Sequence, residues 1–397
     1  MGEGEGKVRP TLVAACAFSL ADMLVALRKI DETKGSLAIA YAAGKHTENR
    51  GPMIRALMNY AYVLRGSGKP RSARAAYLSA LDIARAENGP SHQTVEQIKY
   101  EYSSYLAKTG KLGEASQFLL GEADALLAQA EKLDAEDAER EERGETQGET
   151  THQEDPGSGL EHIQAEVEAQ TDPSLSLKPG DQARHYVMRN LMNAAGLLDN
   201  KGDHETAETA LTKAVEIAIR VHGENSVHHM NTLYAMGLHY RGRGALQDAI
   251  AAFETVLSIM DETIEVYEPE LLQNRIAILR DAAVCYDEVG DPVTAVDYAT
   301  GAVVNAQTLA KIMTANGAPR AAGDAMLEPF WLLLADLKAK AGDADGAAEA
   351  RREALRGKLN QGIASRGRSG GGMQRSGGSG LKRSSAGGAT RAGGRRV

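Results

Sequence analysis

The chain has 397 residues, of which 43% are hydrophobic, 25% charged and only 5% aromatic. This composition excludes a fibre, a membrane bundle and a wholly disordered chain, and the length allows two or three packed units. Alanine and leucine far outnumber aromatic residues, a mixture that suits helix-on-helix contacts better than sheet surfaces, so the chain is predicted to be all-α.

The net charge of −9 combines two regions of opposite sign. Residues 356–397 carry ten cations and no acid, so the rest of the chain carries −19. Residues 131–181 hold sixteen Asp or Glu against four Lys or Arg. An acidic middle and a basic tail are therefore separate features of the chain.

The N-terminal part, residues 10–48, predicts a degenerate helix pair that caps the helices after it, with Leu20, Leu24 and Leu27 on one face. The apolar run 11–27 is short for a membrane span and contains an acid, so it is predicted to be a buried helix. Cys16 and Cys285 lie in apolar surroundings and are predicted to be buried, unpaired thiols in a reducing compartment.

From residue 55 onward the chain repeats one pattern. The run Arg55-Ala-Leu-Met-Asn-Tyr-Ala returns 134 residues later as Arg189-Asn-Leu-Met-Asn-Ala-Ala. Each copy has a small residue, a glycine seven residues later and an alanine five residues after the glycine, and most copies add a bulky residue before the glycine and a second alanine after the first. The six small residues and the glycines that follow them are Ala61 and Gly68, Ser103 and Gly110, Ala195 and Gly202, Gly237 and Gly244, Ala283 and Gly290, and Ala335 and Gly342.

Each copy of the pattern predicts two antiparallel helices. The small residues allow the two backbones to approach closely, and the glycine supplies the positive φ that ends the first helix. A single helix pair cannot bury its apolar face alone, so consecutive pairs are predicted to stack.

The spacing of the landmarks resembles that of tetratricopeptide repeats, and specifically the long-spaced, kinesin-light-chain-like branch with 42-residue units. The turns Gly89-Pro90-Ser91-His92 and Gly223-Glu224-Asn225-Ser226 are similar to the inter-repeat turn of that branch. The resemblance covers about residues 53–125 and 187–356. It implies a helical-hairpin solenoid, or superhelix. The composition of the remaining segments predicts a disordered acidic linker between the arrays and a disordered basic Gly/Arg-rich tail after them.

Five segments follow from these observations. They are an N-terminal cap (1–52), a first repeat array with an extended last helix (53–143), an acidic flexible linker (144–182), a second array (183–356) and a disordered Gly/Ser/Arg tail (357–397). The linker is either a solvated spacer or an acidic strip that binds a partner.

Three roles are predicted as alternatives for the tail: it contacts RNA, it contacts an acidic protein surface, or it is an inert soluble extension. The cations expected to make such contacts are Arg366, Arg368, Arg375, Lys382, Arg383, Arg391, Arg395 and Arg396.

The sequence predicts neither catalysis nor a cofactor. It has no phosphate-binding Gly-x-x-x-x-Gly-Lys-Ser/Thr loop, no His-Glu-x-x-His and no Cys-x-x-Cys. Four histidines, His222, His228, His229 and His239, span one inter-repeat turn and the next helix. They are predicted to be ordinary turn and surface residues, and no metal site is expected.

The resemblance implies a binding groove lined by the first helix of each pair. In tetratricopeptide proteins an Asn two residues before the small residue often bonds the backbone of an extended ligand. Asn59 and Asn193 match that position, and Arg55 and Arg189 lie one turn earlier. The predicted groove residues are Arg55, Asn59, Tyr62, Arg189, Asn193, Tyr234 and Arg280. The alternative is that they are solvated residues at the groove edge.

The resulting prediction is a non-enzymatic scaffold or adaptor that binds protein or peptide partners in its repeat grooves. The alternative is a structural subunit of a ribonucleoprotein or organellar complex whose basic tail contacts RNA. The expected compartment is the cytoplasm, with the mitochondrion as the alternative, and no membrane span is expected.

Overall fold

A computed structural model of the chain describes residues 10–44, 50–143, 177–264 and 268–369. These residues form fourteen α-helices and no strand. The helices are α1 (Pro10–Ala26), α2 (Ile30–Gly44), α3 (Gly51–Gly66), α4 (Pro70–Asn88), α5 (Gln93–Lys108), α6 (Leu112–Glu142), α7 (Pro179–Lys201), α8 (His204–His222), α9 (Val227–Gly242), α10 (Leu246–Thr263), α11 (Pro269–Glu288), α12 (Pro292–Ala315), α13 (Arg320–Lys340) and α14 (Ala344–Ser369). The all-α prediction is confirmed.

The turns inside the helix pairs lie where the repeat pattern predicts them. All six landmark glycines have a positive φ, between +68° and +89°. After all six of these turns the backbone N–H of the residue that follows the glycine donates to the carbonyl five residues earlier, at 2.8 to 3.1 Å. This bond satisfies a carbonyl at the end of the preceding helix, which is why glycine follows each first helix.

The small landmark residues lie where two helices of a pair cross. Ala61, Ala195 and Ala283 are buried in the core. At Gly237 even a methyl group has no room, because a Cβ built there would lie 2.5 Å from Cε1 of Phe253 on α10. Close approach of the two backbones therefore depends on a small side chain at this position.

The chain divides into two compact units, residues 1–302 and 303–397, with the boundary inside α12. In the second unit α13 packs against α14. The second unit buries Leu334, Leu337 and Ala350, together with Leu309 from the end of α12. Helices α1 to α11 belong to the first unit.

Helices α6 and α7 pack directly on one another, although they lie on either side of the predicted linker. Ala123 and Leu126 of α6 share a core with Tyr186 and Leu191 of α7. Both predicted arrays therefore contribute to one hydrophobic core. Helix α7 begins at Pro179, inside the range predicted as linker, and residues 144–176 lie outside the described residues.

The charged contact between α6 and α7 supports the same packing. Asp134 of α6 pairs with Arg184, which is buried near the start of α7. Arg220 of α8 lies 3.5 Å from the same carboxylate. Three helices thus meet at one acid beyond the last buried residue of α6, Ala130.

The structure has two helices, α1 and α2, within residues 10–44, and the buried face of α1 differs from the expected one. Leu24 is buried, whereas Leu20 and Leu27 are 45% and 67% exposed. The inner face of α1 instead carries alanines and Phe18, which pack into the core that contains Met53. Small side chains let α1 approach its neighbours closely, and the leucines fall at the edge of that contact.

Two further observations concern exposure and hydropathy. Cys285 is buried as predicted, but the prediction for Cys16 is wrong, because Cys16 lies on the exposed side of α1. No helix in the described ranges is long and apolar enough to cross a bilayer.

The last helix extends into the segment predicted as tail. Helix α14 ends at Ser369, whereas the tail was predicted from residue 357. Residues 370–397, which carry six of the ten tail cations, lie outside the described residues. The predicted domain boundaries and the disorder assigned to linker and tail stay predictions.

Candidate partner-binding face

All seven predicted groove residues lie on the first helices of their pairs, in the first unit. We call the surface that they form, on α3, α7, α9 and α11, the first-helix face. Its members are Arg55, Asn59, Tyr62, Arg189, Asn193, Tyr234 and Arg280. Arg55, Asn59, Arg189 and Arg280 are exposed.

On α3 the predicted residues form a polar surface with one exposed ring. The Asn59 side-chain amide donates to Asp22 of α1 at 3.2 Å, so it ties two neighbouring first helices together. The Tyr62 side chain is 62% exposed, and the Arg65 guanidinium lies 4.9 Å from the centre of its ring. A cation over an aromatic face orients both side chains without burying either.

Helix α5 lies between α3 and α7 in chain order, and it carries a buried group of charges. Lys99 is only 1% exposed, and its ammonium group lies 2.5 Å from Glu96 and 3.2 Å from Glu122 of α6. Arg85 of α4 pairs with Glu122 as well. Two cations thus balance two carboxylates, which offsets the cost of burying them.

Arg189 of α7 lies close enough to this group to affect it. Burial raises the pKa of Glu96, while the charges of Lys99 and Arg189 lower it. Arg189 is therefore exposed to solvent on one side and contributes to the field of the buried charges on the other. Asn193, one turn later, is half-buried.

On α9 and α11 the structure brings two predicted residues to a third. The Tyr234 hydroxyl donates to Asp281 Oδ2 at 2.7 Å, and the Arg280 guanidinium donates to both oxygens of the same carboxylate at 2.9 to 3.1 Å. Arg241 of α9 donates to Asp281 Oδ1 at 2.9 Å. Burial raises the pKa of Tyr234, and its hydrogen bond to Asp281 raises it further.

The sequence prediction missed Asp281, although a signal for it existed. Asp281 lies two residues before the small residue Ala283, the same repeat position as Asn59 and Asn193. At Asn59 and at Asp281 this position bonds to the preceding first helix. The position two residues before the small residue therefore connects neighbouring repeats, and this role is separate from any contact with a ligand.

The prediction also missed Tyr100 of α5, which is 57% exposed. It lies three residues before the small residue Ser103, as Tyr234 does before Gly237 and Arg280 before Ala283. Tyrosine and arginine at such positions offer a large contact area with a polar end, which is typical of residues that dominate interface energetics.

The four histidines that the sequence groups together belong to separate contacts. His222 and His228 lie beside His185 of α7, whereas His239 Nδ1 donates to the Asp199 carboxylate at 2.8 Å. His229 is hydrogen-bonded to the backbone carbonyl of Glu224. Position along the chain brings them together, but the helix packing divides them.

Comparison with known proteins supports the repeat assignment. Residues 186–262 match the family model described as tetratricopeptide repeat. This segment runs from α7 to the end of α10, and it therefore includes the third and fourth predicted copies. The chain thus contains tetratricopeptide repeats, and the prediction of this repeat class is confirmed.

Several solved structures resemble the chain at low identity. A Podosopora anserina protein of nearly identical TPR-like repeats, described as kinesin light chain, is 15% identical, with 69% of this chain and 98% of that one covered and a TM-score of 0.43. BtubC (BKLC) from P. vanneervenii is 14% identical, with coverages of 94% and 99% and a TM-score of 0.37. The assembly chaperone of RpL4 (Acl4) is 13% identical, with coverages of 85% and 99% and a TM-score of 0.42. No curated protein matches the chain significantly.

Proposed function

We propose that this protein is a non-enzymatic scaffold that binds one or more protein partners along its first-helix face. The observation that carries the proposal is the recurrence of exposed arginines and tyrosines on consecutive first helices of a repeat class that generally serves protein–protein interaction. Tyr62 and Tyr100 are both more than half exposed, and Arg55 and Arg189 are exposed at identical repeat positions.

The chemistry of this face favours an extended partner segment that carries carboxylates. Guanidinium groups bind carboxylates through two parallel hydrogen bonds, and exposed rings bury apolar area at a small entropy cost. Asp281 and its partners hold Tyr234 and Arg280 in fixed positions, so these side chains lose little freedom on binding.

Two double variants test the proposal. Arg55→Ala with Asn59→Ala, and Arg189→Ala with Asn193→Ala, are each expected to weaken partner binding by about 1–3 kcal/mol. Partners are identified by affinity purification with the wild-type chain and quantitative mass spectrometry, and then measured individually. Arg71→Ala is the matched control, because Arg71 is an exposed arginine on α4, a second helix.

A structural role of these residues would give a different result. Asn59 bonds Asp22 of α1, so the first double variant is also examined by thermal unfolding. Unchanged helicity with reduced partner binding supports the proposal. Equal loss of binding in the Arg71→Ala control, or no loss in either double variant, would show that partners bind elsewhere.

A second candidate function is RNA contact through the basic tail, which the ten cations and the absence of acids in residues 356–397 favour. Each neutralised phosphate releases counterions, so ten contacts to a single strand give a log–log salt slope of at most about −7. The test is binding of a fluorescent single-stranded homopolymer to the full chain and to a variant that ends at residue 369, which keeps α14. The truncated chain lacks six cations, so its salt slope is expected to be shallower than that of the full chain by about 4. No salt-dependent binding by the full chain would exclude this function.

A further inference from the structure

Three histidines converge where the turn between α8 and α9 packs against α7. His222 is the last residue of α8, His228 is the second residue of α9, and His185 is buried in the first half of α7. The His185 Nδ1 atom lies 3.0 Å from His222 Nε2. The ring centres of His222 and His228 are 4.0 Å apart, and those of His185 and His228 are 4.9 Å apart.

We propose that His185, His222 and His228 form a binding site for a divalent transition-metal ion, with Zn²⁺ as the preferred occupant. One ring nitrogen from each histidine lies within 4.8 Å of the others. A tetrahedral Zn²⁺ ion with Zn–N bonds of about 2.0–2.1 Å separates its ligand nitrogens by about 3.4 Å, so small side-chain rotations bring all three into range.

The protonation state suits this role. Burial, and to a lesser extent the neighbouring His228, lowers the pKa of His222 to about 4, so this imidazole is neutral at physiological pH. Neutral imidazole is the form that ligates a metal. Asp181 is the acid whose charge acts on His222, and it also accepts a hydrogen bond from Arg184 at 3.1 Å.

The burial of the cluster leaves one side open. His185 is buried, whereas His222 and His228 are half-buried. A zinc site with three protein ligands and a fourth position open to solvent holds a water molecule at that position. Because the ligands come from α7, α8 and α9, a bound ion would link two consecutive repeats.

A second histidine group nearby provides a contrast. The Nδ1 atom of His204 lies 3.0 Å from one carboxylate oxygen of Asp199, and the Nδ1 atom of His239 lies 2.8 Å from the same oxygen. One carboxylate oxygen can accept from both rings, so hydrogen bonds engage the Nδ1 atom of each ring without an ion, whereas Nε2 of His239 is buried without a hydrogen-bond partner in the described residues. The cluster of three histidines has no carboxylate among its ligand atoms, and a hydrogen bond between His185 and His222 joins two of its ring nitrogens directly.

The test uses the full chain without a histidine tag, treated with chelator and dialysed. Zinc chloride is titrated into the wild type, His222→Gln with His228→Gln, His228→Gln alone, and the control His204→Gln, and heat is measured by isothermal calorimetry. The wild type and His204→Gln are expected to bind one ion each, and both cluster variants to bind at least tenfold more weakly. Co²⁺ is a second probe, because a tetrahedral site gives intense visible absorption bands that the cluster variants should lose.

The outcomes separate the alternatives. The single variant His228→Gln changes a half-buried residue, and its helicity shows whether a loss of binding reflects a loss of fold. No stoichiometric Zn²⁺ binding by the wild type would overturn the proposal. Loss of binding in His204→Gln, with binding retained in the cluster variants, would overturn it as well and assign the ion to the Asp199 group.

Discussion

Replacing Gly237 by alanine tests how closely the two helices of a repeat approach one another. Gly237 lies in the middle of α9, and a Cβ there would lie 2.5 Å from Cε1 and 2.7 Å from Cδ1 of Phe253. Phe253 is fully buried, so its ring cannot turn out to solvent. The added methyl group therefore forces α9 and α10 apart or pushes the ring into its neighbours, which include Tyr234.

Two opposing contributions set the size of the effect. Alanine is favoured over glycine in a helix interior by about 1 kcal/mol. Overpacking of a core typically costs about 1–3 kcal/mol. Gly237→Ala is therefore expected to reduce the free energy of unfolding by up to about 2 kcal/mol. Gly196→Ala in α7 is the matched control, because nothing lies within 4 Å of its Cβ position, and it should gain up to about 1 kcal/mol.

The preceding repeat suggests a compensating change. There Ala195 occupies the position of Gly237, and Leu211 occupies the position of Phe253. The double variant Gly237→Ala with Phe253→Leu should therefore recover part of the lost stability. The assay is equilibrium urea unfolding followed by circular dichroism, with five proteins compared: the wild type, Gly237→Ala, Gly196→Ala, Phe253→Leu and the double variant. A gain for Gly237→Ala equal to that of Gly196→Ala would refute the close approach, and strict additivity in the double variant would refute the contact between these two residues.

Three further predictions concern the junction of α6 with α7 and the polar contacts between repeats. A glutamate-specific protease is used to cleave the chain within residues 144–176. The two fragments should then co-elute in size-exclusion chromatography at high salt, because α6 and α7 share a hydrophobic core. Separate elution of the fragments would contradict the shared core. Asp281→Ala should lower the free energy of unfolding by about 1.5–3 kcal/mol in the same urea assay, because it leaves the Tyr234 hydroxyl and charged donors without their acceptor. The hydrogen bond from Arg184 lowers the pKa of Asp134, so this contact stabilises the fold above the ordinary pKa of 3.8 and is lost as the pH falls through the lowered value. Asp134→Asn should therefore flatten the acid limb of a stability–pH profile, and an unchanged limb would contradict the assignment.

Local features of the fold were predictable from the sequence. The landmark glycines mark turns because a positive φ is a property of a few consecutive residues, and all six have it. The buried alanines follow from the same register. The exposed side of α1 was not predictable in this way, because Leu20 and Leu24 fit one helical stripe equally well, and only the packing of Phe18 beside Met53 decides which is buried.

The candidate sites show the same division between local and long-range information. Arg55 and Arg189 were placed on first helices by their repeat position alone. Asp281 was missed because its role depends on Tyr234, which is 47 residues away in the chain. The histidine cluster was missed because His185 lies 37 residues before His222, and no pattern in the sequence links the two residues.

The position of the long insertion has a consequence for how the chain tolerates change in length. Between α4 and α5 a turn of four residues, 89–92, joins two consecutive pairs, whereas 36 residues, 143–178, connect α6 to α7. Each doubling of a connection adds only ~0.6 kcal/mol to the cost of closing it, so these roughly three doublings cost ~2 kcal/mol. Sequence grafted at this site, such as an epitope or a fluorescent domain, would add little to that cost as long as the ends of α6 and α7 stay paired through their shared core.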